Sequence, residues 1–125
     1  MHEFALATRI VERVSEALER QRPGAKVATI HLRVGQLSGV YVDALQFGLE
    51  LLLPQSPLAG AQVAIESIPP RLHCRNCGQD SEVRQPPFRC SACGSTQIEV
   101  VRGRELEIES VELAEEPTPC PSASR

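Results

Sequence analysis

The chain has no tryptophan, one tyrosine and three phenylalanines; aromatics make up 3% of its 125 residues, while hydrophobic residues reach 42%. A core built from this material is aliphatic, and the stacking platforms that grip single-stranded nucleic acid are scarce. An excess of positive charge is also lacking: 13 Lys and Arg stand against 16 Asp and Glu, a formal net charge of −3. A surface organised around phosphate neutralisation is thereby excluded, and no nucleic-acid partner is expected. The longest apolar-rich stretch, near Leu49 to Leu53, is far below membrane-spanning length. Met1-His2-Glu3-Phe4 has neither the positive start nor the apolar run of a signal peptide. No membrane partner is expected, and the cytoplasm is the expected compartment. No phosphate-cradling glycine loop, catalytic triad or long internal repeat is present.

Against this background, four cysteines stand out. Cys74-x2-Cys77 and Cys90-x2-Cys93 are separated by twelve residues, and each doublet runs directly into a glycine, Gly78 or Gly94. Two residues between thiolates let one tight turn present both sulfurs to a single tetrahedral ion, and the glycine supplies the left-handed backbone that such a turn needs. The pattern predicts a zinc site, and thiolates kept available for zinc require a reducing compartment. Four cysteine ligands fill zinc's coordination shell, leaving no position for water or substrate. The zinc is therefore expected to be structural, and a metal-dependent hydrolase is excluded. His73, beside Cys74, is expected outside the ligand set. The fifth cysteine, Cys120, lies in a Pro- and Ser-rich tail and reads as a spare thiol.

Periodicity gives the remaining organisation. Residues 4 to 20 read as an amphipathic helix whose apolar stripe is Phe4, Ala7, Val11, Val14 and Leu18, widened by Leu6 and Ile10 and stopped by Pro23-Gly24. Residues 26 to 34 alternate as a strand, with Ala28, Ile30, Leu32 and Val34 on one side and Thr29, His31 and Arg33 on the other. His31 reads as a solvated or surface-paired histidine. A second helix is predicted at about 42 to 53, carrying Leu45, Leu49 and Leu52, and a second strand at about 61 to 68. Pro69-Pro70 opens a metal module of residues 71–97. A last strand follows, through Leu106, Ile108, Val111 and Leu113, with an alternation that slips near Ser110 as a β-bulge would make it. Glu105, Glu107 and Glu109 read as its solvated face. From Glu115 the chain is polar and proline-rich, the composition of a disordered tail.

The expected fold is α+β: a small mixed three-stranded sheet covered by two helices, with an inserted four-cysteine zinc-ribbon-like module. The expected division is residues 1–70 plus 98–114, the module 71–97, and the tail 115–125.

The amino terminus offers a second metal chemistry. An α-amine, a backbone amide and the imidazole of His2 can bend round one ion, and nitrogen-rich planar shells suit Ni(II) and Cu(II). On spacing alone, an exposed histidine ahead of a helix is the favoured reading of His2.

Met1-His2-Glu3 opening an amphipathic helix, the Arg33-Val34-Gly35-Gln36-Leu37-Ser38-Gly39 turn, the doubled cysteine module and Gly103-Arg104-Glu105-Leu106 together resemble the HypA/HybF family. That family comprises nickel metallochaperones for maturation of [NiFe]-hydrogenase, which are not enzymes. The likeness runs from Met1 to about Leu113. It implies that Met1 (through its amine), His2 (through its imidazole) and Glu3 (through its backbone or as an accessory ligand) hold nickel as transferred cargo. It implies also that Cys74, Cys77, Cys90 and Cys93 hold zinc. The partners implied are a HypB-like accessory GTPase and the hydrogenase large-subunit precursor; some relatives also serve urease, which adds urease maturation proteins. The chain departs from some relatives in having Asp43 as its sole acidic residue soon after the Ser-Gly turn. It also carries His73 as its one histidine beside a cysteine doublet.

Overall fold

The computed structural model describes residues 2–114; Met1, the tail 115–125 and with it Cys120 lie outside the described residues. The elements run α1 (His2–Gln21), β1 (Val27–Gly35), α2 (Val42–Leu52), β2 (Gln62–Ile68), β3 (Arg71–Cys74), β4 (Asp80–Glu82), β5 (Ile98–Arg102) and β6 (Leu106–Leu113). A single 3-10 turn, Leu53–Gln55, extends α2. The turn absorbs Pro54, whose missing amide cannot continue the α-helical ladder.

β1 is the centre of a mixed sheet in the order β2-β1-β6, parallel to β2 and antiparallel to β6. Alternation along β1 buries Ile30, Leu32 and Val34 on one face. The two helices close over that face, bringing Ala7, Ile10, Val11 and Val14 from α1 and Leu45 and Leu49 from α2. The core is wholly aliphatic, as the composition requires. Phe4 stays at its margin: the residue stands 48% exposed, with its ring edge over Gly48 of α2, where the two helices meet through Ala7 and Gly48. The slip in β6 is present as well. His31 faces Ser110 and Leu32 faces Ile108, so Glu109 is the extra residue.

A second three-stranded sheet, in the order β4-β3-β5, was not foreseen as a sheet. Its short strands carry the polar side chains Asp80, Ser81, Glu82 and Glu99, and show too little apolar alternation to be read from sequence. The expected division sets 98–102 with residues 1–70; the pairing of Leu72 with Val100 and Cys74 with Ile98 makes Ile98–Arg102 a strand beside β3. The chain returns to the main sheet at Gly103.

At that crossing the backbones are packed without side chains between them. A Cβ on Gly35 would overlap the Gly103 carbonyl, and Gly103, at φ +116°, lies against Pro70. Three amides tie the crossing: Gly35 donates to the Glu105 carbonyl at 2.6 Å, Leu37 to Gly103 at 2.7 Å and Gln36 to Ile68 at 2.8 Å. Glu105, expected on a solvated face, folds back so that its carboxylate accepts from the Gly103 amide at 2.6 Å.

Candidate metal centre

The two cysteine doublets form the same turn twice. Cys74 donates its amide to the Gln79 carbonyl and Gly78 donates to Cys74; Cys90 and Gly94 repeat the pattern with Ser95 and Cys90, all four bonds at 2.9 Å. Gly78 and Gly94 hold φ of 79° and 77°, a region that side chains with a Cβ avoid. The turns bring four sulfurs to within 4.8 Å of one another. Cys74 Sγ lies 3.7 Å from Cys93 Sγ, and Cys77 Sγ lies 3.6 Å from Cys90 Sγ. A tetrahedron with metal–sulfur bonds of about 2.3 Å has edges of about 3.8 Å, so the cluster fits one ion of zinc's size and preference. Among the described residues this is the one group of three or more His, Cys, Asp or Glu side chains close enough to share an ion.

Backbone dipoles prepare these sulfurs for negative charge. The Cys77 amide points at Cys74 Sγ from 3.4 Å and holds that thiol below its ordinary value. The Cys93 and Ala92 amides, at 3.5 and 3.4 Å, bring Cys90 down to about 6. Cys77 goes the other way. The Gln79 amide lowers it, but the Cys90 sulfur and burial outweigh that contact and push it up to about 12. Without a cation, the cluster cannot carry four negative charges at such spacing; a bound metal removes that limit by deprotonating every ligand. The Asn76 side-chain amide, 3.7 Å from Cys93 Sγ, adds a donor that the cysteine spacing did not point to.

His73 takes no part in the cluster. Its Nδ1 lies 2.6 Å from Asp80 Oδ1 across the β3–β4 ladder, which turns the imidazole to a carboxylate partner. Cys74 and Cys90 are buried, whereas Cys77 and Cys93 are exposed, so one side of the cluster faces solvent.

The residues predicted at the other metal site are distributed differently. His2 is at the first turn of α1 with its side chain 66% exposed, its Nε2 3.7 Å from Glu3 Oε2. Glu3 is buried. Its Oε2 accepts from the Tyr41 amide at 3.1 Å, and that bond, with a smaller one from its own amide, holds the carboxyl below the ordinary value. Tyr41 is the N-cap of α2 and receives no side-chain cap from its own helix. Glu3 therefore supplies, from α1, the acceptor that a capping box takes from its own third residue. Its carboxylate also meets the positive ends of two helix dipoles. This role for Glu3, and the part played by Tyr41, carried no sequence signal, because the bond uses a backbone amide 38 positions away. Asp43 is exposed in the first turn of α2. His31 lies 3.6 Å from Glu112, a surface pairing as expected.

Residues 1–113 match the family model described as "Hydrogenase/urease nickel incorporation, metallochaperone, hypA". The hydrogenase maturation factor HypA of Desulfosudis oleivorans is 36% identical over 115 residues, covering 92% of this chain and all of the relative. That of Roseiflexus sp. (strain RS-1) is 39% identical over 127 residues, covering 99% of this chain and all of the relative. The fold matches the solution structure of the nickel metallochaperone HypA from Helicobacter pylori with a TM-score of 0.60, at 17% identity, over 91% of this chain and 98% of that one. A further HypA solution structure matches with a TM-score of 0.67, at 18% identity, over 93% and 98% of the two chains. No described helix is long and apolar enough to cross a membrane. The chain belongs to the HypA family of nickel metallochaperones for hydrogenase maturation, a family of metal carriers and not of enzymes.

Proposed function

We propose that this chain carries one Ni(II) at Met1-His2-Glu3 and surrenders it during assembly of the [NiFe]-hydrogenase large subunit, while zinc occupies Cys74, Cys77, Cys90 and Cys93. The observation that carries this reading is the division of labour at the terminus. His2 is exposed and available, while Glu3 beside it is buried and tied to Tyr41. The Met1 amine, the His2 imidazole and backbone nitrogens at residues 2 and 3 form the planar nitrogen shell that Ni(II) favours. The Glu3 carboxylate serves as an anchor in this account, fixing the base of the shell against α2. An ion held at an exposed terminus can be passed by ligand exchange to a deeper site. A closed thiolate shell cannot release its ion that way, which separates cargo from structural metal.

The functional units in this proposal are a nickel-handling α/β domain and a zinc-binding module, joined at Pro69-Pro70 and Gly103. The partners are a HypB-like GTPase and the hydrogenase precursor, with urease maturation proteins as further recipients, all in the cytoplasm. Amine and imidazole must lose protons to bind, with reference pKa values of about 7.7–8.0 and 6.5. Nickel affinity, followed by calorimetry on zinc-loaded protein, is expected to fall steeply between about pH 8 and pH 6. An affinity that stays constant across that interval contradicts this ligand set.

A further inference from the structure

β6 is an edge strand. Its inner side pairs with β1, and among the described residues nothing pairs with its outer side. Glu105 and Ala114 turn their backbone groups inward, to Gly35 and Lys26. Alternation, reset by the bulge at Glu109, leaves the amides and carbonyls of Leu106, Ile108, Val111 and Leu113 facing outward. The side chains of these same four residues line a groove beneath α1. The groove consists of two adjoining hollows of about 410 and 400 Å³ that share Arg13 and Ile108. Its floor is apolar from end to end, and Leu106 at its mouth is 44% exposed.

The rim is cationic. Arg9, Arg13 and Arg22 line the α1 side, and none of the three forms an ion pair with a described residue. Glu107, the one acidic lining residue, is neutralised by Arg33 at 3.2 Å. Glu12 and Glu16 lie beside Arg9 and Arg13 on the outer surface of α1 and do not line the groove.

We propose that this groove is a docking site for an extended acidic-apolar segment of another protein. The segment adds as a strand to β6 and turns one face to the groove, where apolar side chains seat on Leu106 and Ile108 and carboxylates interspersed on that same face meet Arg9 and Arg13. Strand addition suits the site because main-chain bonds supply affinity while alternate side chains supply selectivity. A second copy of this chain is a poorer occupant: pairing two β6 strands would crowd Glu107, Glu109 and Glu112 of both copies along one ladder, and like charges across a ladder are destabilising. The tail that follows Leu113 is also a poor occupant, since Glu115 to Arg125 contains no aliphatic residue larger than alanine. The site is distinct from the nickel terminus, so its test does not depend on nickel.

The probe is a short peptide of repeated Val-Thr-Glu-Thr, whose valines and glutamates share one face of an extended strand, titrated into isotope-labelled full-length protein while amide shifts are followed by NMR. The expected result is saturable shifts along Leu106–Leu113 and at Arg9 and Arg13. The same peptide with lysine in place of glutamate should bind roughly tenfold more weakly, the effect of two rim ion pairs. The double variant Arg9→Glu, Arg13→Glu should lose a similar factor for the glutamate peptide and regain binding to the lysine peptide. Both arginines are exposed, and an unchanged circular dichroism spectrum confirms the fold. Leu106→Gln, also at an exposed position, should weaken both peptides. Absence of shifts at millimolar peptide, shifts centred elsewhere, or equal binding of the two peptides would each overturn the proposal.

Discussion

The two halves of this molecule reach a fixed structure by different means. The helix-covered sheet buries Ala7, Ile10, Val14, Ile30, Leu32, Val34, Leu45, Leu49 and Leu58, an aliphatic core with contributions from both helices. The cysteine module has little of that kind. Around its sheet the fully buried side chains are Pro70, Leu72, Cys74 and Cys90, two of which are metal ligands. Where apolar side chains run out, the cysteine turns and their ion take over, because a segment this short cannot bury enough surface to offset its chain entropy. The same contrast separates the two metal chemistries. The cysteine cluster is held by its own turns, with Cys74 and Cys90 buried; the proposed nickel ligand His2 is exposed on a helix start where Glu3 is buried against Tyr41.

The contrast is broken most severely at the metal. On the proposed zinc occupancy, the ion contributes about 10–16 kcal/mol at neutral pH, so Cys90→Ser, or chelation of the native protein, should unfold the module. Amide spectra are expected to lose the β3, β4 and β5 resonances while those of β1, β2 and β6 remain. Collapse of the entire spectrum would mean that the two regions fold as one unit. The complementary change is Leu49→Ala, in the fully buried face of α2, which should cost about 2–5 kcal/mol in urea denaturation with metal content unchanged.

Gly35→Ala probes the join between the regions. Its new Cβ meets the Gly103 backbone, which cannot swing aside as a side chain would, so a loss of about 1–3 kcal/mol is expected from the same denaturation assay. Gly24→Ala is the milder control, with φ of +82° but open space around the Cβ, and should cost only about 1 kcal/mol.

The smallest effect is expected from acid. Glu3 and Glu105 both have carboxyls below the ordinary value of 4.5, Glu3 chiefly through the Tyr41 amide and Glu105 through its own and the Gly103 amides. A carboxyl that is more acidic when folded stabilises fully above its unfolded value, and that contribution fades as pH falls through the lower folded value. Glu3→Gln and Glu105→Gln should therefore flatten the loss of stability below pH 4.5. Unchanged acid profiles in both variants would remove these carboxylates as anchors.

Much of this was legible in the sequence because it depends on local spacing. The cysteine doublets with their glycines, the alternation of β1 and the slip near Ser110 are each set by neighbours a few residues apart. The second sheet was not legible, since Asp80–Glu82 and Ile98–Arg102 are strands only by virtue of pairing with β3. Phe4 fits the helical period, but it stands at the end of the stripe, half exposed with its ring edge over Gly48 of α2. Glu3 was readable as a residue of the metal terminus, but its buried bond to Tyr41 was not, since no pattern within α1 points to a backbone amide on α2.

The central claim, a nickel-carrying terminus separate from the cysteine-held metal, is tested most directly by titrating nickel into zinc-loaded protein with a native amino terminus, beside its His2→Ala variant. The account predicts one nickel per chain for the native protein and none for the variant, with zinc content equal in both. Equal nickel binding by the two proteins, or zinc lost along with nickel, would contradict it.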